Sequence, residues 1–278
     1  MTHRLETTIS DALWAAIQAR AKMLGQPTRQ VVQEALAEAL DLDHHSMFQL
    51  STSGAIVEGL YQGALTVGDL RRHGDTGLGT FEDLDGELIL VDGVCFQARS
   101  DGTVTLAPDT ALTPFATVVA FVADTEQDVL KIESFDDLTR KLDTMRSTDN
   151  DFFAWRIAGH VQALRVRTAC RHAPGTALVD AVADQAIFNL TNDHVDIVGF
   201  WSPAYAEAVT IPGYHLHAVT ADRAHGGHVF DVRADGLHVV MHRVSDLHLA
   251  LPETQEFLQA RLSGDTASAL NATERGTH

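Results

Sequence analysis

The run Gly213-Tyr214-His215-Leu216-His217-Ala218-Val219-Thr220 sets two histidines one residue apart in a stretch that reads as a β-strand. Strand side chains alternate faces, so His215 and His217 point the same way. Asp222 to Gly227 reads as a turn, with Gly226-Gly227 able to take positive φ. His228 then opens the return strand and can come alongside the first two. His225 competes as a third ligand, but it sits inside the turn, which favours His228. Three neutral imidazoles from adjacent strands suit a zinc-type ion, and an open fourth position would make the site catalytic rather than structural. A cupin-type site also starts from His-x-His. It expects a Glu a few residues on, where this chain has Val219, Thr220 and Ala221.

The chain that must position these rings has 278 residues and is 45% apolar, enough for one large domain or two ordinary ones. Its net charge of −18 argues against broad nucleic-acid coating, although a local basic patch remains compatible with it. No stretch is long and apolar enough to span a bilayer. Met1-Thr2-His3-Arg4-Leu5-Glu6 lacks the basic and apolar regions of a signal peptide. Cys95 and Cys170 fit a reducing compartment better than a disulfide framework, so the expected location is the cytoplasm.

Residues 1–46 read differently from the rest. Arg4 to Ser10 alternates, with Leu5, Thr7 and Ile9 on one face. Ser10 is placed to cap a helix carrying Leu13, Ile17, Ala21 and Leu24, which Gly25 stops. Pro27 suits the start of a second helix, striped by Val31, Val32, Ala35, Leu36, Ala39 and Leu40. A strand and two helices in some forty residues cannot bury a core alone and want a second copy. The segment resembles the ribbon-helix-helix family, in which paired strands enter the DNA major groove. The resemblance would turn Arg4, Glu6 and Thr8 outward and put the phosphate-gripping turn at Gln26-Pro27-Thr28-Arg29. Glu6 and Pro27 depart from that pattern. The resemblance implies a homodimer or higher homo-oligomer, with DNA contact through residues 1–46. Residues 41–47 read as a charged linker.

From Phe48 onward the pattern is mixed, with many strands and few helices, which indicates an α+β protein built on mixed or antiparallel sheet. Expected helices are Thr66 to His73, Ser134 to Arg146 capped by Ser134, and one near 254–262. Leu88 to Val91 and Val94 to Ala98 should form a hairpin over Asp92-Gly93. Val118 to Ala123 is a strand candidate. Phe152 to Ile157 and Val161 to Thr168 should form a hairpin over Ala158-Gly159-His160. Further strands are expected near 187–191, 196–201, 214–220, 228–233 and 237–243.

Four segments together resemble the acetolactate decarboxylase family. They are Ser51-Thr52-Ser53-Gly54-Ala55 with Glu58-Gly59-Leu60-Tyr61; His73 to Phe81 running into Leu84-Asp85-Gly86-Glu87; Gly199-Phe200-Trp201-Ser202-Pro203-Ala204-Tyr205; and Pro212 to His217 reaching Gly226-Gly227-His228-Val229. The likeness covers Phe48 to the C-terminus and implies a two-part catalytic domain over 47–278. It implies zinc, or another divalent transition metal, on His215, His217 and His228. It matches Glu87 and Arg167 to the active-site glutamate and arginine, Thr80 to a substrate-side threonine, and Glu274 to a tail glutamate at the metal. Arg165, two residues before Arg167 on the same strand face, is the alternative if the register slips.

The implied reaction takes 2-acetolactate to acetoin and carbon dioxide. Losing carbon dioxide leaves an electron pair to be held as an enediolate, and a cation chelated by the ketone and hydroxyl oxygens suits that charge. Arg167 can orient the carboxylate. Glu87 or Glu274 can relay the quenching proton. The competing reading is a dimeric DNA-binding regulator whose large domain senses a small ligand through the metal site.

Overall fold

The computed structural model describes residues 5–24, 27–39, 45–262, 266, 269 and 270. The chain divides into two compact units, Met1–His44 and His45–His278. The expectations resting on Arg4, Gly25, Gln26, Leu40 and residues 41–44 lie outside the described residues.

The first unit holds helices α1 (Asp11–Leu24) and α2 (Thr28–Ala39). Ser10 caps α1 as expected: its hydroxyl accepts from the Leu13 N–H at 3.3 Å. The Pro27 carbonyl accepts from the Val31 N–H at the start of α2. The strand expected over Arg4 to Ser10 is corrected in its described part, because Leu5 to Ser10 carry no strand. A ribbon strand is hydrogen-bonded to a second chain, and one chain offers it no partner.

The second unit is a mixed α+β structure of two main sheets. In chain order its elements are β1 (Ser46–Leu50), α3 (Ser53–Val57), β2 (Leu65–Thr66), α4 (Val67–Leu70), β3 (Thr76–Thr80), β4 (Glu87–Val91), β5 (Val94–Ala98), β6 (Val104–Leu106), β7 (Leu112–Thr113), β8 (Phe115–Val119), β9 (Thr125–Ile132), α5 (Phe135–Asp143), β10 (Phe152–Thr168), α6 (Leu178–Ala181), β11 (Ala186–Ser202), β12 (Gly213–Thr220), β13 (Gly226–Val244), β14 (Asp246–Ala250) and α7 (Gln255–Gln259). One sheet runs β14-β1-β8-β3-β4-β5-β6. The other runs β10-β11-β12-β13-β9, and an extra β10–β13 pairing closes four of its strands into a ring. A small β2–β7 pair stands beside them.

Local chemistry explains the elements that hold the site. Asp92 and Gly93 take φ 50° and 75°, as a tight hairpin demands, and β4 pairs with β5 across them. Ser134 caps α5 through the Asp137 N–H, and Leu138 and Leu142 on its inner face are fully buried. The helix expected over Thr66 to His73 is shorter, Val67–Leu70, with Thr66 as its cap. The strand expected at Val118 to Ala123 lies earlier, at Phe115–Val119. Phe121 leaves the ladder because its N–H bonds the Asp75 carboxylate at 3.0 Å.

The hairpin expected over Ala158-Gly159-His160 does not form. β10 runs unbroken for 17 residues. Gly159 takes φ 151° and bends the strand without reversing it, since Gly159 pairs with Val195 and His160 with His194 in one continuous register. In the same way the pieces expected near 187–191 and 196–201 are one strand, β11, and those near 228–233 and 237–243 are one strand, β13. Long coiled strands buried in patches produce an interrupted hydrophobic pattern that resembles separate short ones. The largest core fills the ring sheet around Phe153, Trp155 and Leu216 and is closed by α5 through Leu138 and Leu142. Among the described residues no helix is long and apolar enough to cross a membrane.

Candidate active site

His215 and His217 project from one face of β12, and His228 lies on β13 directly opposite His217. His228 is also opposite Arg167 on its other side, on β10. One short stretch of β13 therefore seats a third imidazole between its two partners and a guanidinium. Gly227 makes the approach feasible. It takes φ 153°, and a Cβ there would stand 2.4 Å from the Arg167 carbonyl oxygen.

The three rings converge. Their ligand-type nitrogens all lie within 4.8 Å of one another, and the His215 and His217 Nε2 atoms are 3.1 Å apart. The His217 Nδ1 is 2.9 Å from the Leu88 carbonyl oxygen on β4. A carbonyl only accepts, so Nδ1 carries the proton and Nε2 presents a lone pair. This is the tautomer a metal ligand needs, oriented by a backbone partner. All three histidines are buried. Burial, with Arg167 adding to it, pushes the His215 imidazole down to about 3. Burial, then His215 and Arg167, hold His217 well below the ordinary histidine value, although its bond to Leu88 acts the other way. Both rings are neutral at pH 7 and competent as ligands.

The other sheet supplies a carboxylate. Glu87 begins β4, directly opposite Thr80 on β3. Its Oε1 accepts the Ala169 N–H at 3.2 Å, and its Oε2 lies 3.6 Å from His217 Nε2. Gly86 shapes the turn before it, with φ 93° and a hypothetical Cβ only 2.2 Å from the Ala98 carbonyl oxygen. The Thr80 hydroxyl donates to the Gly86 carbonyl at 2.9 Å, so that side chain braces the same turn.

Arg167 is 5% exposed and lines the cleft, whereas Arg165, the alternative two residues earlier, is exposed. The β10–β13 pairing carries a bulge between them. Arg165 faces Asp231 and Val166 faces Val229, leaving Phe230 as the extra residue. The Phe230 ring lies 4.7 Å from the Arg167 guanidinium carbon, and Gln185 accepts from Arg167 Nη1 at 3.1 Å. Phe230, Gln185 and the Ala169 N–H were missed in the sequence. Phe230 stands two residues after His228, which was the only available signal.

These groups line one cleft of about 630 Å³, counting its part open to solvent. His215, His217, His228, Glu87, Arg167 and Thr80 all face it, and Ile56, Leu84, Phe115 and Leu178 give it apolar walls. Glu274 lies outside the described residues. His225 is in the turn, where its carbonyl accepts the Thr220 N–H.

A largely apolar cleft between two sheets, holding three neutral imidazoles, a carboxylate and a buried guanidinium, defines an enzyme able to carry a metal and grip an anionic substrate. The sequence model for alpha-acetolactate decarboxylase matches residues 47–264. The alpha-acetolactate decarboxylase of Methanosarcina mazei is 35% identical over 230 residues, covering 82% of this chain and 80% of its own. The enzyme of Methylococcus capsulatus is 36% identical over 242 residues, covering 86% and 92%. The crystal structure of the Bacillus subtilis enzyme superposes with a TM-score of 0.80 at 34% identity, covering 84% of this chain and all of the other. The chain belongs to the alpha-acetolactate decarboxylase family, a group of carboxy-lyases. The family match begins after α1 and α2.

Proposed function

We propose that this chain converts 2-acetolactate to acetoin and carbon dioxide, with a divalent transition metal, zinc by preference, on His215, His217 and His228. The observation that carries this is the meeting of those imidazoles with Glu87 and Arg167 in one buried cleft. The donor set fits the metal. Bonds of about 2.0 Å at tetrahedral angles put ligand nitrogens about 3.3 Å apart, close to the 3.1 Å between His215 and His217. A divalent cation held there would supply Lewis acidity toward the oxygens of a hydroxy-ketone as negative charge develops.

The chain's own residues do the rest. Arg167, its plane fixed by Phe230 and Gln185, binds the substrate carboxylate and orients the bond that will break. That C–C bond cleaves, carbon dioxide leaves, and the electron pair stays as an enediolate. Glu87, held by the Ala169 N–H and protonated from solvent beforehand, delivers that proton to the carbon that lost the carboxylate and is left as the carboxylate. Delivery from one side gives one enantiomer of acetoin. The apolar wall around Ile56, Leu84 and Phe115 accommodates methyl groups and limits water. Thr80 supports substrate contacts from β3 while bracing the Glu87 turn. Glu274 is retained as a second candidate proton carrier.

Residues 1–46 are read as a pairing segment. Leu5, Leu13 and Trp14 are 72%, 50% and 46% exposed, apolar surface that a second copy would cover. DNA contact by that segment rests on the ribbon-helix-helix resemblance and is tested by gel shift. Free thiols at Cys95 and Cys170 support a reducing, cytoplasmic setting.

The deciding experiment follows acetoin from racemic 2-acetolactate with purified protein, before and after chelation and zinc readdition. Metal-restored turnover is expected. Turnover that survives complete metal removal would end the metal reading, and no acetoin from metal-loaded protein would end the substrate reading.

A further inference from the structure

A second group of ligand-type side chains stands where the two main sheets meet. His45 immediately precedes β1, Asp124 immediately precedes β9, and His242 lies near the end of β13. One ligand atom from each falls within 4.8 Å of the others. We propose that these three residues form a second divalent-metal site, distinct from the catalytic cleft and structural in role.

The backbone around the site is tied before any ion arrives. The His45 carbonyl accepts the Ser245 and Asp246 N–H groups, each at 3.1 Å. The Asp124 N–H donates to the Met241 carbonyl at 2.9 Å, and Asp124 Oδ2 accepts the Arg243 N–H at 2.6 Å. Three separate chain segments are thereby held in fixed relation, which is the preorganisation a metal site requires.

The side chains are set in the same way. His45 Nδ1 lies 2.8 Å from the Arg243 carbonyl, so it carries the proton and leaves Nε2 as the lone-pair atom. A ring nitrogen donating to a backbone carbonyl is the usual outer-shell partner of a ligating histidine. His242 Nδ1 is 3.4 Å from Asp124 Oδ2, and the His45 and His242 rings lie nearly parallel with centroids 5.4 Å apart. Arg243 directs its guanidinium to Asp151, with Nε 2.6 Å from Oδ2.

Two imidazoles and one carboxylate are a donor set for zinc, iron(II) or manganese(II), with water completing the shell. His242 and Asp124 are buried, while His45 is half-buried and offers the route in. A cation there would clamp β1 of the seven-stranded sheet to β9 and β13 of the other.

The test is metal content per chain in full-length protein equilibrated with zinc and passed through a desalting column. Wild type is expected to hold about two equivalents, and Asp124→Asn, His242→Gln and His217→Ala about one each. His45→Gln, at the half-buried position, gives the same reading if a buried variant fails to fold. Cobalt(II) substitution should give visible bands that lose one component in His45→Gln. One equivalent in wild type, lost only in His217→Ala, overturns the second site. Two equivalents unchanged by Asp124→Asn and His45→Gln also overturn it. One equivalent that His217→Ala keeps and Asp124→Asn loses supports the second site and counts against the catalytic metal.

Discussion

Strand β13 carries a ligand-type histidine near each end, and the two ends differ in what surrounds the ring. At His228 the neighbours are two further imidazoles, a buried guanidinium and a carboxylate from the facing sheet, all opening into a cleft. At His242 the neighbours are one imidazole and one carboxylate, knit into backbone hydrogen bonds. The first arrangement has room for a substrate and a cation to orient it. The second joins strands. The same residue type on the same strand is thus given different work by its surroundings, since charge partners and open volume decide whether a site does chemistry.

The strongest test of that contrast is to remove one imidazole from each end. His217→Ala should lower acetoin formation by about 10³-fold or more, the scale on which preorganised charge stabilisation is lost. His242→Gln should leave kcat within about twofold and instead lower the melting temperature, as expected when a buried polar cluster costing about 1–3 kcal/mol is broken. Assays and melts on both variants check this, and an inactive, fully folded His242→Gln would erase the distinction.

Next in size is the carboxylate grip. Arg167→Met should lower kcat/KM by about 10²- to 10³-fold, because truncating one partner of a buried charged pair costs about 2–5 kcal/mol. The fold and metal content should persist, as circular dichroism and metal analysis would show.

A pH series separates the clusters more gently. His215 is depressed from 6.5 to about 3, so below pH 6.5 the unfolded chain binds a proton the folded one refuses. Metal-stripped protein should hold its stability above pH 6.5 and lose on the order of 1 kcal/mol per pH unit from that ring as pH falls toward 3. Asp124, lowered from 3.8, keeps its contribution until the pH drops below that value. Urea titrations from pH 7.5 to 4.5 should therefore report the catalytic cluster together with His73, which burial also lowers, without Asp124, and a flat profile would contradict the burial of those rings. The smallest effect belongs to Arg165→Ala. This exposed arginine should change kcat/KM by less than about twofold, consistent with surface charges of small net worth.

The convergence of His215, His217 and His228 was legible because period-two alternation and a Gly-Gly turn are local signals, and these residues carry both. The Asp92-Gly93 hairpin and the Ser134 cap were legible for the same reason. The continuity of β10 was not. Gly159 looks like a turn residue, and only its unbroken pairing with β11 shows otherwise. Gln185 and Phe230 could not be assigned either, since Phe230 reaches Arg167 from a bulge on β13 and Gln185 from the loop before β11.

What the sequence determined by itself was the α+β class, the histidine spacing and four family segments, all of which depend on near neighbours. Tertiary structure decided that Glu87 approaches His217 from the opposite sheet, that Arg167 is buried while Arg165 is not, and that His45, Asp124 and His242 meet at all. The physical reason is distance along the chain. Spacing fixes which face a side chain takes within one strand, but which strands lie beside it depends on how two sheets share a core, and no short window of residues contains that information.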